Sequence, residues 1–300
     1  MELWIPITVA AAAAQTSRNA IQRHMKGPLG DYGASAIRFI YAVPFVWIWL
    51  LILSSFSNQH LPKPESEFVI WAAIGGVTQI LFTVLLIKLF SYKNFLVGVA
   101  FSKLEVLLVA LMEAAFLSVT ISVQFGIAIF IGIVSVMLLS LRTNKFSWEE
   151  LRLSFQSKST IIGLLAAMAL ATSVVSFRAA LNSFPESDFL IRASVTAAIV
   201  IVVQALGLLA ALYVFRRSEL KAALVLWRPG MAAGFFGSIS TPAWFSAFAL
   251  HSAAPVLAIG QIELLFALGF TVLVFHQRLT KIELFGVLLL LSSILLVISN

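Results

Sequence analysis

Two charged residues stand where an apolar run should tolerate none. In "VAFSKLEVLLVALMEAAF", Lys103 and Glu105 interrupt the apolar sequence, with Glu113 two helical turns further on. A second carboxylate, Glu263, stands in "AIGQIELLFALGF". A glutamate at bilayer depth is unfavourable by several kcal/mol and is too short to reach water, so each needs a partner or a task. Four tasks fit: bonding to a neighbouring helix, pairing with a membrane arginine, binding a substrate ammonium, or carrying a coupling proton. On a regular helix Lys103 lies about 200° from Glu105, so the two cannot face one cavity, and Lys103 can snorkel toward the interface. Glu263 has Gln261 as its neighbour and no cation nearby in sequence.

Further polar candidates are spread along the chain. Gln15, Asn19, Gln79 and Gln261 could line a cavity or hydrogen-bond between helices. Arg18 and Arg38 are expected near one end of the first two helices, and Arg178 and Arg192 near the opposite ends of the sixth and seventh. There they serve gating, charge pairing or interfacial anchoring. Trp244, Phe245 and other aromatic residues could stack on a ligand. Catalytic constellations are missing: the chain has no Cys, no H-E-x-x-H, no G-x-S-x-G and no nucleotide-binding P-loop, and its four His are scattered. The expectation is no enzyme, no metal site and no cofactor, with proton coupling through the glutamates as an option.

The elements that must position these residues follow from composition. Of the 300 residues 61% are hydrophobic and only 11% charged, with a mean hydropathy of +1.02. A soluble domain carries about twice that charge. The apolar residues fall in long blocks, which predicts an all-α polytopic membrane protein; a β-barrel would alternate over short segments. At roughly 20 residues per crossing, ten helices are expected. The first five are Leu3–His24, Gly33–Leu53, Phe68–Phe90, Phe95–Leu117 and Ile121–Leu141. The second five are Thr160–Asn182, Ser187–Phe215, Pro229–Leu250, Ala254–Phe275 and Thr280–Ser299. Pro44 and Pro242 interrupt the second and eighth, as hinges or, more often, as tolerated kinks and packing sites. No cleavable leader is evident before the first.

The one sizeable polar interruption, residues 142–159, divides the chain into segments 1–141 and 160–300. Ser147 and Glu150 there form a capping box for an amphipathic helix at the membrane surface. Lysines and arginines cluster in the loops of one side, from Arg23 and Lys26 to Arg278 and Lys281. The other side holds only Lys63 among several acids. This imbalance puts the basic side in the cytoplasm and both termini outside.

The halves repeat. Glu105 aligns with Glu263, Lys103 with Gln261, Gly76 with Gly234 and Thr83 with Thr241; a small insertion then sets Gly126 on Gly286. "AAQTSRNAIQ" lies over "SVVSFRAALN", pairing Arg18 with Arg178, and "ASAIRFI" over "DFLIRAS" pairs Arg38 with Arg192. Five helices per half force the second copy into the membrane upside down. This gives an inverted-topology repeat, an architecture of alternating-access carriers with a midplane site.

Two five-helix halves, "IRF" entering the second helix and the ending "AAPVLAIGQIELLFALGFTVLVFHQRLTKIELFGVLLLLSSILLV" resemble the drug/metabolite transporter superfamily, its EamA-like branch above all. The resemblance spans essentially the whole chain. His276-Gln277 stands where that family often has an acidic residue. The resemblance implies a carrier of amino acids, nucleotide derivatives, sugars or drugs, usually an exporter in bacteria. The expected function is therefore secondary transport of a small polar metabolite, an amino-acid-like zwitterion first, across the cell inner membrane. The alternatives are an uptake carrier or an efflux pump for cationic or lipophilic compounds, then a membrane enzyme or a channel. Expected partners are the lipid bilayer and the substrate, without nucleic acid, in a monomer or homodimer.

Overall fold

The computed structural model describes residues 2–56, 61–109, 123–140, 156–185, 187–251 and 253–298. Among them the chain is helical and forms no strand. Four helical stretches are long and apolar enough to cross a membrane, and a bent pair would add a fifth.

The first of these stretches spans Trp4–Phe56, 53 residues. As one rod it would measure about 80 Å, more than twice the hydrocarbon thickness. It does not form one rod. Within α1 (Trp4–Ile40), Gly30 takes φ 68°, ψ −177° and breaks the helix. The Gln22 amide then donates to the Ala34 carbonyl at 2.8 Å. Twelve residues of straight helix would separate these groups by about 18 Å, so the chain doubles back at Gly30 into two antiparallel arms. A side chain at position 30 would be strained by the positive φ and would meet Glu219 Cδ at 2.7 Å. Glu219 uses that space: its carboxylate accepts from the amides of Tyr32 and Gly33 at 3.1 and 2.8 Å. It thereby caps the exposed start of the second arm.

A second break at Tyr41–Ala42 precedes α2 (Val43–Phe56), so Pro44 sits in the first turn of a new helix, where its missing N–H costs nothing. Then come α3 (Ser66–Leu89) and α4 (Phe95–Ser102). Asn94 caps α4 through the Val97 amide. After α5 (Val123–Ser140), the expected interfacial helix over 142–155, like Glu113, lies outside the described residues. The second half supplies α6 (Lys158–Asn182) and α7 (Phe189–Phe215). A short α8 (Arg217–Val225) meets α9 (Trp227–Leu250) at 87°. No helix was expected over 217–225; its alternating charge and short apolar face suit a surface position rather than a crossing. Pro242 lies inside α9 without ending it, as prolines in packed apolar helices can. The chain closes with α10 (Ala253–Gly260), α11 (Ile262–Gly269), a π-turn over Phe270–Val274 and α12 (Lys281–Ile298). Thr280 and Glu283 cap α12 reciprocally, at 2.9 and 3.1 Å.

The most extensive packing joins α1 to α9, α3 to α6, and α5 to α12. In the last pair, the Ser135 hydroxyl donates to the Gly286 carbonyl and the Ser293 hydroxyl to the Ala128 carbonyl, each at 2.7 Å. The largest buried cluster, around Ile37, Leu86, Phe95 and Phe101, draws on residues from Ala20 to Ile294 and so on both ends of the chain. Trp47, Ile48, Leu51, Phe130, Leu206 and Leu273 are among many large apolar side chains left on the outside. An exterior so apolar fits lipid rather than water.

Candidate functional site

Two helices expected to run straight are broken. α4 stops at Ser102, residues 103–104 form a turn, and helix resumes over 105–109. The amides there bond back three residues, Lys103 to Ala100 and Val106 to Lys103 at 3.0 and 3.2 Å, winding the chain tighter than an α-helix. A single turn residue, Gln261, likewise separates α10 from α11. Its side-chain amide donates to the Leu257 carbonyl at 2.9 Å, satisfying an acceptor one turn back.

These breaks place the ionisable residues. Because the helix is irregular at 103–104, Lys103 and Glu105 need not point apart: both are buried, with Nζ to Oε1 at 3.9 Å. Lys103 does not snorkel either. At 2% exposure it forms an ion pair with Glu263 Oε2, itself 0% exposed. Glu263, without a cation nearby in sequence, thus has one from the other half of the chain. Gln15 adds a hydrogen bond to the same oxygen at 2.9 Å. A buried pair needs further hydrogen bonds to offset its desolvation: Gln15 of α1 supplies one to Oε2, while Glu263 Oε1 has no partner among the described residues.

Beside this pair lies a partly open cavity of ≈ 50 Å³. Gln15, Arg18, Arg38, Gln79 and Glu105 line it, together with residues of α6 and α9. Arg18 and Arg38, expected at helix ends, are buried in the interior instead. The hairpin at Gly30 explains this, because it brings positions 20 residues apart to one level. Arg18 donates to Asn19 Oδ1 at 3.1 Å, and Arg38 to Thr83 Oγ1 at 3.1 Å. Asn19 is buried as the acceptor for Arg18 and does not line the cavity. Gln79 accepts from Gln204 Nε2 at 2.9 Å, while that nitrogen also bonds the Gly76 carbonyl.

Arg178 and Arg192 are not brought to the cavity. Both are half-buried, and Arg192 donates to the Ala249 carbonyl at 2.6 Å. At the chain segment where the resembled family often carries an acid, Gln277 Oε1 accepts from the Phe95 amide at 3.2 Å. Glu283, capping α12, accepts from Asn94 at 2.8 Å. This end of the second half is therefore bonded to the start of α4.

Several cavity residues escaped sequence reasoning. Ser173 and Ser240 line it, but small hydroxyls are ordinary in apolar helices and gave no signal. Gln204, which bonds Gln79 without lining the cavity, did give one, as the lone amide in "AIVIVVQALGLL". Phe177 and Phe248 also gave no signal; they line the apolar wall with Trp244 and Phe245, which the sequence did offer as aromatic candidates. Among the described residues no cluster of three or more metal-ligating side chains occurs.

No family model matches the chain, and no curated protein matches it. A solved structure described only as "Crystal structure of protein" is similar over 98% of this chain and 96% of its own. The TM-score is 0.63 and the identity 14%. That likeness establishes a shared fold over the whole length and nothing about activity.

Proposed function

We propose that this chain is a secondary active transporter of a small polar metabolite, an amino-acid-like zwitterion first. It works by alternating access of a midplane site between two inverted five-helix repeats. The observation that carries this reading is the meeting of two broken helices, joined by the Lys103–Glu263 ion pair beside a cavity that Arg18, Arg38 and Glu105 line. Discontinuous helices converging on a midplane site are how many carriers bind substrate and coupling ions.

The inverted repeat has independent support in the contacts. A constant offset of 158 positions relates Lys103 to Gln261, Glu105 to Glu263, Ala128 to Gly286 and Ser135 to Ser293. Under that offset the two breaks are mates. The Ser135–Gly286 and Ser293–Ala128 hydrogen bonds also exchange with each other, as a two-fold axis requires. This register favours Ala128 over Gly126 as the mate of Gly286 and needs no insertion. The packing is reciprocal too: the first helix of one half lies on the third of the other, as α1 on α9 and α6 on α3. Ten crossings, a cell inner-membrane location and external termini complete the reading, the last from the lysine and arginine distribution. Resemblance to the EamA-like branch of the drug/metabolite transporters favours export.

Counterflow tests it. Proteoliposomes loaded with an unlabelled amino-acid mixture should accumulate labelled amino acid in a saturable, trans-stimulated manner. At least one of Glu105→Gln and Glu263→Gln should fold and lose most of that flux. Flux that never saturates would mean a channel, and chemical conversion of the solutes would mean an enzyme.

A further inference from the structure

Resting on the carrier reading above, we propose that the cavity recognises its substrate by an anionic group, a carboxylate or its equivalent, held between Arg18 and Arg38. The two guanidiniums are buried and line one cavity. Among the described residues neither makes an ion pair; their hydrogen bonds go to the neutral oxygens of Asn19 and Thr83. The balance of charge sharpens the point. Lys103 and Glu263 cancel as a pair, leaving Glu105 against two arginines and the cluster at formal +1. Uncompensated buried charge is unfavourable, and a bound monoanion removes it.

Hydrogen-bonding capacity leads to the same class of ligand. Each guanidinium presents five donors in a planar fork that matches a carboxylate with two parallel bonds. On the α9 wall, the buried Trp244 Nε1 and Ser240 Oγ have no partner among the described residues. Trp can only donate. The lining thus holds donors in excess, and what satisfies them is a ligand with several acceptor oxygens. The apolar part of such a ligand would lie against Phe245 and Phe248. Glu105, whose Oε2 is unpartnered, opposes an anion in the same cavity and would favour an ammonium if the substrate carries one.

The test uses three probes of one shape: 3-phenylpropionate, 3-phenylpropylamine and 3-phenylpropanol. They are titrated calorimetrically into the full-length purified protein at neutral pH. The carboxylate should bind at least tenfold more tightly than the amine and the alcohol. Arg18→Gln and Arg38→Gln should each lose that preference, and Arg18→Lys and Arg38→Lys, which keep the charge without the fork, should retain part of it. Glu105→Gln should tighten the carboxylate, because it removes the opposing charge. This gain cannot arise from misfolding, so it decides the matter if a Gln variant of either arginine proves unstable. Equal binding of the three probes, preference for the amine, no binding of any probe, or weaker carboxylate binding in Glu105→Gln would each overturn the proposal. Intact counterflow with a reversed charge preference would remove the anion site alone. Absent counterflow would remove the carrier reading whatever the probes do.

Discussion

Lys103 and Glu263 decide most of the energetics at the residue scale. Each would be costly alone in an apolar interior, and together they are tolerable because Gln15 shares the carboxylate. Removing one partner strands the other, at a cost of about 3–5 kcal/mol, whereas removing both leaves an apolar contact that is often neutral. Lys103→Met should therefore lower the melting temperature on the order of 10 °C, and Lys103→Met/Glu263→Met should regain most of it. Differential scanning fluorimetry on the detergent-solubilised protein reads both. If the single variant melts with the wild type, the pair is not holding the broken helices together. The double variant, folded but uncharged, should still fail to transport if the charges serve the carrier cycle.

Glycine governs the closest helix contact at the element scale. α1 can lie on α9 because Gly234 has no side chain: a Cβ there would sit 2.3 Å from the Tyr41 carbonyl carbon and 2.4 Å from its oxygen. Backbone cannot withdraw as a flexible side-chain tip can, so Gly234→Ala should cost about 1–3 kcal/mol by overpacking. Gly207 on α7 is the control, because a Cβ added there would meet nothing within 4 Å. Gly207→Ala should be neutral or stabilising by about 0.5–1 kcal/mol through helix propensity. Parallel melting curves check the pair, and equal shifts would mean that the α1–α9 contact adapts. The same contact sits beside the break at Tyr41–Ala42, where the Tyr41 hydroxyl donates to the Ala223 carbonyl of α8 at 2.9 Å.

For the whole molecule, the packing of α1 on α9 and of α3 on α6 ties segment 1–141 to segment 160–300. Neither half has a complete core of its own. Orientation is testable because the chain has no Cys. Lys63, on a loop, and Ser218, in α8, are both exposed and are assigned to opposite sides. In intact cells an impermeant maleimide should label Lys63→Cys directly and Ser218→Cys only after lysis. The reverse pattern would turn the molecule over, placing the α1 hairpin outside.

The sequence by itself determined the class and much of the layout. Apolar blocks of membrane length mark where helices form, because backbone groups in lipid must bond within their own segment. Rare charges in those blocks mark what the interior has to satisfy. Glu105, Glu263, Gln15 and Gln79 were legible for that reason. Tertiary structure decided the partnerships and the irregularities. The ion pair joins residues 160 positions apart (103 and 263), and no local pattern states which cation reaches which carboxylate. The break at Lys103 has no Pro or Gly at it, so propensity could not announce it; at the other, Gly260 ends α10 just before Gln261, but a lone glycine in an apolar run does not by itself mark a break. Arg18 and Arg38 were legible as charges but not as cavity residues, because only the reversal at Gly30 sets them at one depth. Spacing along the chain fixes what a helix can present, and the fold alone selects what it meets.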